Sequence, residues 1–152
     1  MAPFLPSTAV AAHIAFRMAS WVASQAARRL AELGAQIVAA RAGLVEELGP
    51  LVTEAYARLA PTSRAATIAY VPRLRGEVPG VAELQDTDFM EAVLLAEIAA
   101  RRDDEVVRGQ TLVGPHRDEL QLNLGQEPAK GFASHGETWS FALALRIASL
   151  EL

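Results

Sequence analysis

The chain has 152 residues, about half of them apolar and 21% charged, with a formal net charge of −4. That composition suits one globular domain with a real core and excludes a disordered chain or a strongly basic nucleic-acid coat protein. Cysteine is absent, which excludes disulfides and thiolate metal sites and fits a cytoplasmic setting. Charge is uneven: residues 1–75 carry eight Arg against four Glu, whereas residues 76–152 carry six basic against fourteen acidic residues. By sign alone, Arg28, Arg29, Arg41, Arg58, Arg64, Arg73 and Arg75 are candidates for phosphate contact, although charged helix faces have the same signature. Arginine outnumbers lysine thirteen to one (Lys130), a bias that points to a GC-rich genome more than to chemistry.

Residues 1–29 read as an Ala-rich helix with weak patterning, set apart as an atypical amino-terminal segment. Their apolar run begins without a preceding basic stretch and contains His13 and Arg17, which argues against a secretory leader or a membrane span. From Leu30 the pattern sharpens. Leu30, Leu33, Ile37, Leu44, Leu48, Leu51 and Val52 recur at spacings of three, four or seven and predict one core-facing helical stripe. Gly49-Pro50 predicts a kink or a division, and Ala60-Pro61 an end. Ile68, Tyr70 and Val71 predict a strand over 66–72, followed by a Pro/Gly loop. Asp88 with Glu91 predicts a capping box that opens a helix to about Arg102, with Met90, Val93, Leu94 and Ile98 inward.

Beyond the charged run Arg101–Glu105, Thr111-Leu112-Val113 is a strand candidate closed by Gly114-Pro115. Leu120, Leu122 and Leu124 alternate with Gln121 and Asn123, the pattern of a half-buried strand. A turn at Gly125 leads to a short strand near Phe132, and a last helix opens near Gly136 with Phe141, Leu145 and Ala148 as its apolar stripe. The order predicts a helical module over 30–105 followed by an α/β or α+β segment over 106–152.

Two short segments carry chemistry. Ser134-His135-Gly136-Glu137 precedes the last helix, where a hydroxyl, a glycine and free N–H groups make an anion site. The same Ser-x-x-Glu spacing is also a plain capping box, and the two readings are compatible. Gly114-Pro115-His116-Arg117-Asp118 is a turn that projects three polar residues, for acid–base or phosphate contact or simply as a surface turn with an Arg–Asp ion pair. His116-Arg117-Asp118 with Asn123 mimics a kinase catalytic loop, but no Gly-rich phosphate cover, strand lysine or DFG segment accompanies it. His116 and His135, nineteen residues apart with no third His, do not predict a metal site. Trp21 and Trp139 read as core or rim residues rather than base-stacking platforms.

Taken together, the segment Arg108–Leu120 with Gly-Pro-His-Arg-Asp at its centre, and Phe132–Glu137 followed by Ser140–Ala148, resemble the RecF family in order and spacing. Leu30–Pro61 is similar to that family's lever-arm helices, so the resemblance covers roughly residues 30–152. The resemblance implies an ABC-type P-loop ATPase head related to SMC proteins, with a mostly helical arm inserted in it. It implies ATP and Mg as cofactors, ATP-dependent homodimerisation, binding of single- and double-stranded DNA, and work with RecO and RecR in recombinational repair and the SOS response. On this reading Ser134, His135, Gly136 and Glu137 form the signature motif that meets ATP in trans, with Ser134 at its γ-phosphate. His116, Arg117 and Asp118 are a DNA-contacting or structural turn. The sequence departs from the family in two places. No G-x-x-x-x-G-K-[ST] loop occurs, and no apolar run ending in paired acids follows the signature helix, so no catalytic residue is expected here and the chain by itself is expected not to hold ATP. Residues 1–29 do not resemble the family, as an altered reading frame, a false start or a gene fragment would explain. The rival reading is a non-catalytic helical protein-interaction module, without membrane association.

Overall fold

Helix α1 (Ser7–Leu59) is the longest element and packs against most of the others. The structure, a computed structural model, describes the backbone from Ser7 to Leu152 and side chains from Ser24 onward; the expectations for residues 1–6 and for the side chains of 7–23, including His13, Arg17 and Trp21, lie outside the described residues. Abundant Ala, Leu, Glu and Arg favour the helix. Pro61 ends it, because the residue before a proline avoids the helical region, and the Ala60 N–H closes the last turn on the Tyr56 carbonyl at 2.8 Å. Positions 29 and 30 lie inside this one uninterrupted helix.

The core-facing stripe of α1 differs from the one its leucines predict. Ala31, Ala35, Val38 and Ala42 are buried, whereas Leu33, Ile37 and Leu44 are 41%, 43% and 47% exposed. Leu30, Leu48 and Leu51 pack only partly. Small side chains let a second helix lie close. Gly34 marks the nearest approach: a Cβ there would stand 3.1 Å from the Leu94 side chain and 3.4 Å from Pro115. The periodicity was real, but α1 carries two apolar stripes, and the one made of small residues won the interior.

Pro50 neither divides nor ends α1. It deletes one backbone donor, a defect of roughly 3 kcal/mol in an isolated helix. Packing on the carboxyl side offsets it: Val52, Ala55 and Tyr56 are buried, and the Thr53 hydroxyl lies 3.1 Å from the Gly49 carbonyl and 2.8 Å from that of Ala66.

After α1 come β1 (Ala66–Val71), α2 (Val81–Gln85) and α3 (Thr87–Arg108). Helix α3 starts two residues earlier than Asp88 predicts. The cap is Asp86, whose carboxylate accepts the N–H groups of Asp88 and Phe89, each at 3.0 Å; Asp88 lies within the first turn, where its charge suits the helix dipole. Met90, Leu94 and Ile98 are buried as predicted, with Val93 packed against them. The helix also runs past Arg102 to Arg108 and stops at Gly109 (φ 63°), a left-handed position that glycine takes without strain. The charged run does not break it. Arg101 bridges to Glu97 at 3.2 Å, and Glu105 turns inward.

Thr111-Leu112-Val113 is loop, not strand. Its ladder groups are already spent: the Leu112 N–H goes to the Glu105 carboxylate at 2.7 Å, and the Thr111 carbonyl goes to Arg117 at 2.7 Å. A 3₁₀ turn (Pro115–Arg117) leads into β2 (Glu119–Leu124), β3 (Glu127–Pro128), an irregular helical turn α4 (Ala129–Phe132) and α5 (His135–Glu151). The three strands form an antiparallel sheet in the order β1-β2-β3, with Ile68 opposite Leu122 and Tyr70 opposite Leu120. The strand predicted near Phe132 falls instead at Glu127–Pro128. Gly131 (φ 87°) breaks the extended path, and Phe132 is exposed.

Two cores result, both built on α1. One joins Ala31, Ala35, Val38 and Ala42 to α2 and α3; the other joins Val52, Ala55 and Tyr56 to the sheet and to Phe141, Ala144 and Ala148 of α5. The molecule is therefore α+β, a helical module continuous with a small antiparallel layer. Among the described residues no helix is long and apolar enough to cross a membrane.

The assignment of the inner stripe has a direct check. Ala35→Leu, which overfills the α1–α3 contact, should cost about 1–3 kcal/mol, and Met90→Ala about 2–5 kcal/mol, in urea melts followed by circular dichroism. A neutral Ala35→Leu would mean that α3 packs elsewhere.

Candidate functional site

Ser134–Glu137 forms the mouth of α5. Ser134 is the N-cap, with extended backbone, and its Oγ accepts the Glu137 N–H at 3.3 Å while Glu137 Oε2 accepts the Ser134 N–H at 2.8 Å. Both halves of the capping box are present. Ser134, His135 and Gly136 are nevertheless exposed, and a Cβ built on Gly136 meets nothing within 4 Å. A capped turn with open space above its first N–H groups is what an approaching anion requires.

What fixes this turn comes from far along the chain. The Tyr56 hydroxyl lies 3.0 Å from Ser63 Oγ, and the Ser63 hydroxyl donates to Glu137 Oε1 at 3.1 Å. Arg64 reaches the same oxygen at 3.3 Å. Tyr56 is itself buried against Phe141, ring centroids 5.6 Å apart. A hydrogen-bonded line thus runs from the second core through Ser63 to Glu137 and Ser134. The Ser134 backbone N–H, then the Ser134 and Ser63 hydroxyls, and Arg64 hold the Glu137 carboxyl down at about 2, against an ordinary 4.5. Glu137 is therefore a fixed anion tied to the protein side of the turn.

His135 is placed by a neighbour one turn on. The Trp139 indole N–H donates to His135 Nε2 at 2.8 Å, with the rings edge to face. That bond requires an unprotonated Nε2, so the neutral ring carries its hydrogen on Nδ1. Trp139 is 66% exposed, a rim residue.

The second predicted segment is a knot of side-chain hydrogen bonds. His116 Nε2 lies 3.1 Å from the Thr111 hydroxyl, and Arg117 donates to the Thr111 carbonyl at 2.7 Å and to Gln110 at 3.4 Å. Asp118 accepts the Arg73 N–H at 2.9 Å and the Tyr70 hydroxyl rather than pairing with Arg117. Arg41 caps the Pro115 carbonyl at 2.6 Å. Burial, then the adjacent Asp118 carboxylate, push the Tyr70 hydroxyl well above its ordinary pKa, so it remains a donor.

The two segments do not converge. One is anchored beside Arg41 and the other beside Tyr56, fifteen positions apart on α1, or ~22 Å at the helical rise. His116 and His135 thus share no site, and among the described residues no cluster of three or more His, Cys, Asp or Glu could hold a metal. Several candidate arginines are engaged within the fold: Arg29 with Glu32, Arg58 with Glu151, Arg64 with Glu137 and Arg75 with Asp104. Sequence reasoning missed Tyr56, Ser63 and Glu105, and it read Arg41 only as a candidate phosphate contact and Tyr70 only as a strand residue. Each acts on a partner seven or more positions away, so no local motif marks it.

No family model matches the chain. Solved structures do resemble it. One is the recombination mediator protein RecF in the RecFOR pathway, described as RecF-ATP: it superposes with a TM-score of 0.72 over 82% of this chain, at 20% identity. A second, described as RecF-ATPrS, gives a TM-score of 0.73 at 22% identity over the same share. The chain spans 32% of the length of each, about a third. The fold is therefore RecF-like.

Two outcomes follow from the geometry. Because the folded Glu137 carboxyl titrates near 2, the stability it contributes is complete above its ordinary 4.5 and is lost as pH falls toward 2. Unfolding titrations should show Glu137→Gln flattening the stability profile between those limits. At the other segment, Tyr70→Phe deprives Asp118 of a donor and should cost roughly 1–3 kcal/mol in the same melts.

Proposed function

We propose that the chain is the arm and signature-bearing part of a RecF-type DNA-repair ATPase, acting through Ser134-His135-Gly136-Glu137 on ATP held by another subunit. The observation that carries this reading is the exposed, capped amino-terminus of α5 within a fold like that of RecF-ATP. The residues present fit a terminal phosphate. Gly136 leaves room for close approach, the His135 and Gly136 N–H groups lack helical partners, and the dipole of α5 favours an anion. Glu137, whose charge would repel phosphate, is bound back by Ser63, Arg64 and the Ser134 N–H.

In this reading residues 30–105 supply mainly the arm, residues 106–152 the signature side of the head, and residues 7–29 the amino-terminal part of α1. The strand pairing of β1 with β2 then joins arm to head. The 114–118 turn is structural first, since His116, Arg117 and Asp118 each hydrogen-bond within the fold. Binding of single- and double-stranded DNA, partnership with RecO and RecR, use of Mg with ATP, a role in the SOS response and a cytoplasmic location belong to the same proposal. They rest on the signature and turn motifs together with the RecF-like fold.

Specificity for ATP comes from position. On this reading the His135 and Gly136 N–H groups would meet the third phosphate of a nucleotide held by another subunit, and the turn would convert nucleotide state into assembly. The chain has no G-x-x-x-x-G-K-[ST] loop, so calorimetry on the purified chain should show no micromolar ATP affinity. Mixed with a RecF subunit loaded with ATP, it should sediment as a complex that is lost without nucleotide and lost in Ser134→Arg. A complex indifferent to both changes would falsify the role given to the turn.

A further inference from the structure

The short turn that joins α1 to β1 is pinned at both ends. The Ser63 N–H closes on the Ala60 carbonyl at 3.0 Å, and the Ala65 carbonyl accepts the Gly125 N–H at 2.8 Å. The stem of Arg64 lies against the same hairpin: a Cβ built on Gly125 would stand 3.6 Å from it. From this frame Ser63 and Arg64 reach one atom, Glu137 Oε1, 74 and 73 positions further along the chain. The Tyr56 hydroxyl in turn lies against Ser63 Oγ, so the turn takes its reference from the second core.

Neither bond is needed to start α5. The capping box uses Ser134 Oγ and Glu137 Oε2, and it is complete without residues 63 and 64. Ser63 and Arg64 engage the other carboxylate oxygen. Released from them, that oxygen would be free to turn toward the His135 and Gly136 N–H groups. A carboxylate there is an anion in the place of an anion: it competes for the donors that phosphate needs, and its charge repels phosphate. Arg64 also supplies the one positive charge paired with Glu137.

We propose that Ser63 and Arg64 are positioning residues for nucleotide recognition in trans, acting through Glu137. This rests on the reading of Ser134–Glu137 as the turn that meets ATP held by another subunit. The two residues touch no nucleotide. They hold the outer carboxylate oxygen on the protein side, so that the first N–H groups of α5 stay open to phosphate. The link between arm and sheet is thereby part of the recognition.

Sedimentation of the full chain mixed with an ATP-loaded RecF subunit reads the effect. Ser63→Ala changes no charge and should weaken the complex about threefold; Arg64→Met keeps its stem against Gly125 and should weaken it about tenfold. Both losses should vanish when Glu137→Gln is added, because a neutral amide released by the same changes neither repels phosphate nor imitates it. Circular dichroism separates these effects from unfolding. Arg64 is exposed, so Arg64→Met carries the comparison even where Ser63→Ala, which also strips a partner from Tyr56, costs stability. Equal losses with and without Glu137→Gln overturn the proposal, since Arg64 would then act by its own charge and Ser63 by stability alone. No loss from either variant overturns it too. An unsubstituted chain that forms no ATP-dependent complex brings down the reading of the turn itself, and this inference with it, a result distinct from the other two.

Discussion

Both cores hang on one helix, so the distance between them is set by α1 itself. Its interior stripe changes character along its length. Between Ala31 and Ala42 it is made of small residues that bring α3 close; between Val52 and Tyr56 it is larger and supports the sheet and α5. Continuity through Pro50 is what holds the two packings in fixed phase. A hinge there would let the small-residue module rotate against the strand layer. Thr53, lying between the Gly49 and Ala66 carbonyls, ties the weak point of the helix to the first residue of β1.

The same rod positions the exposed turn. Tyr56 belongs to the second core, and Ser63 follows the end of α1; through them the turn at 134–137 is referenced to the helix rather than to its own neighbours in sequence. Preorganisation of this kind keeps donors aimed before any ligand arrives. It also fixes the charge at the mouth of α5, since the Glu137 carboxylate is held by Ser63, Arg64 and the Ser134 N–H.

Much of this was legible in the sequence. Leu120, Leu122 and Leu124 announced β2, Met90, Leu94 and Ile98 announced the buried face of α3, and Ser134 with Glu137 announced the cap of α5. The misses have a common physical origin. Asp88 lost the capping position to Asp86 because two aspartates two residues apart offer similar carboxylates, and only the entry path of the chain chooses between them. Thr111–Val113 has strand composition, but Glu105 and Arg117 claim its backbone. The outer leucines of α1 outweigh its alanines on any hydropathy scale, yet close helix contact rewards small size. In each case a contact distant in sequence decided the matter, and local pattern carries no record of it.

One clasp has a consequence for how this architecture can vary. Strand β1 ends at Val71 and its partner β2 begins at Glu119, directly opposite, and beside them Asp118 holds the Arg73 N–H and the Tyr70 hydroxyl. Everything from Arg73 to Arg117, α2 and α3 included, is thus an excursion whose two ends are fastened at its base. Lengthening such an excursion adds only about 0.6 kcal/mol of closure entropy per doubling. The loop between β1 and α2 can therefore lengthen at little cost, while α2 and α3 stay packed on α1 and the strand pairing at the root stays in register.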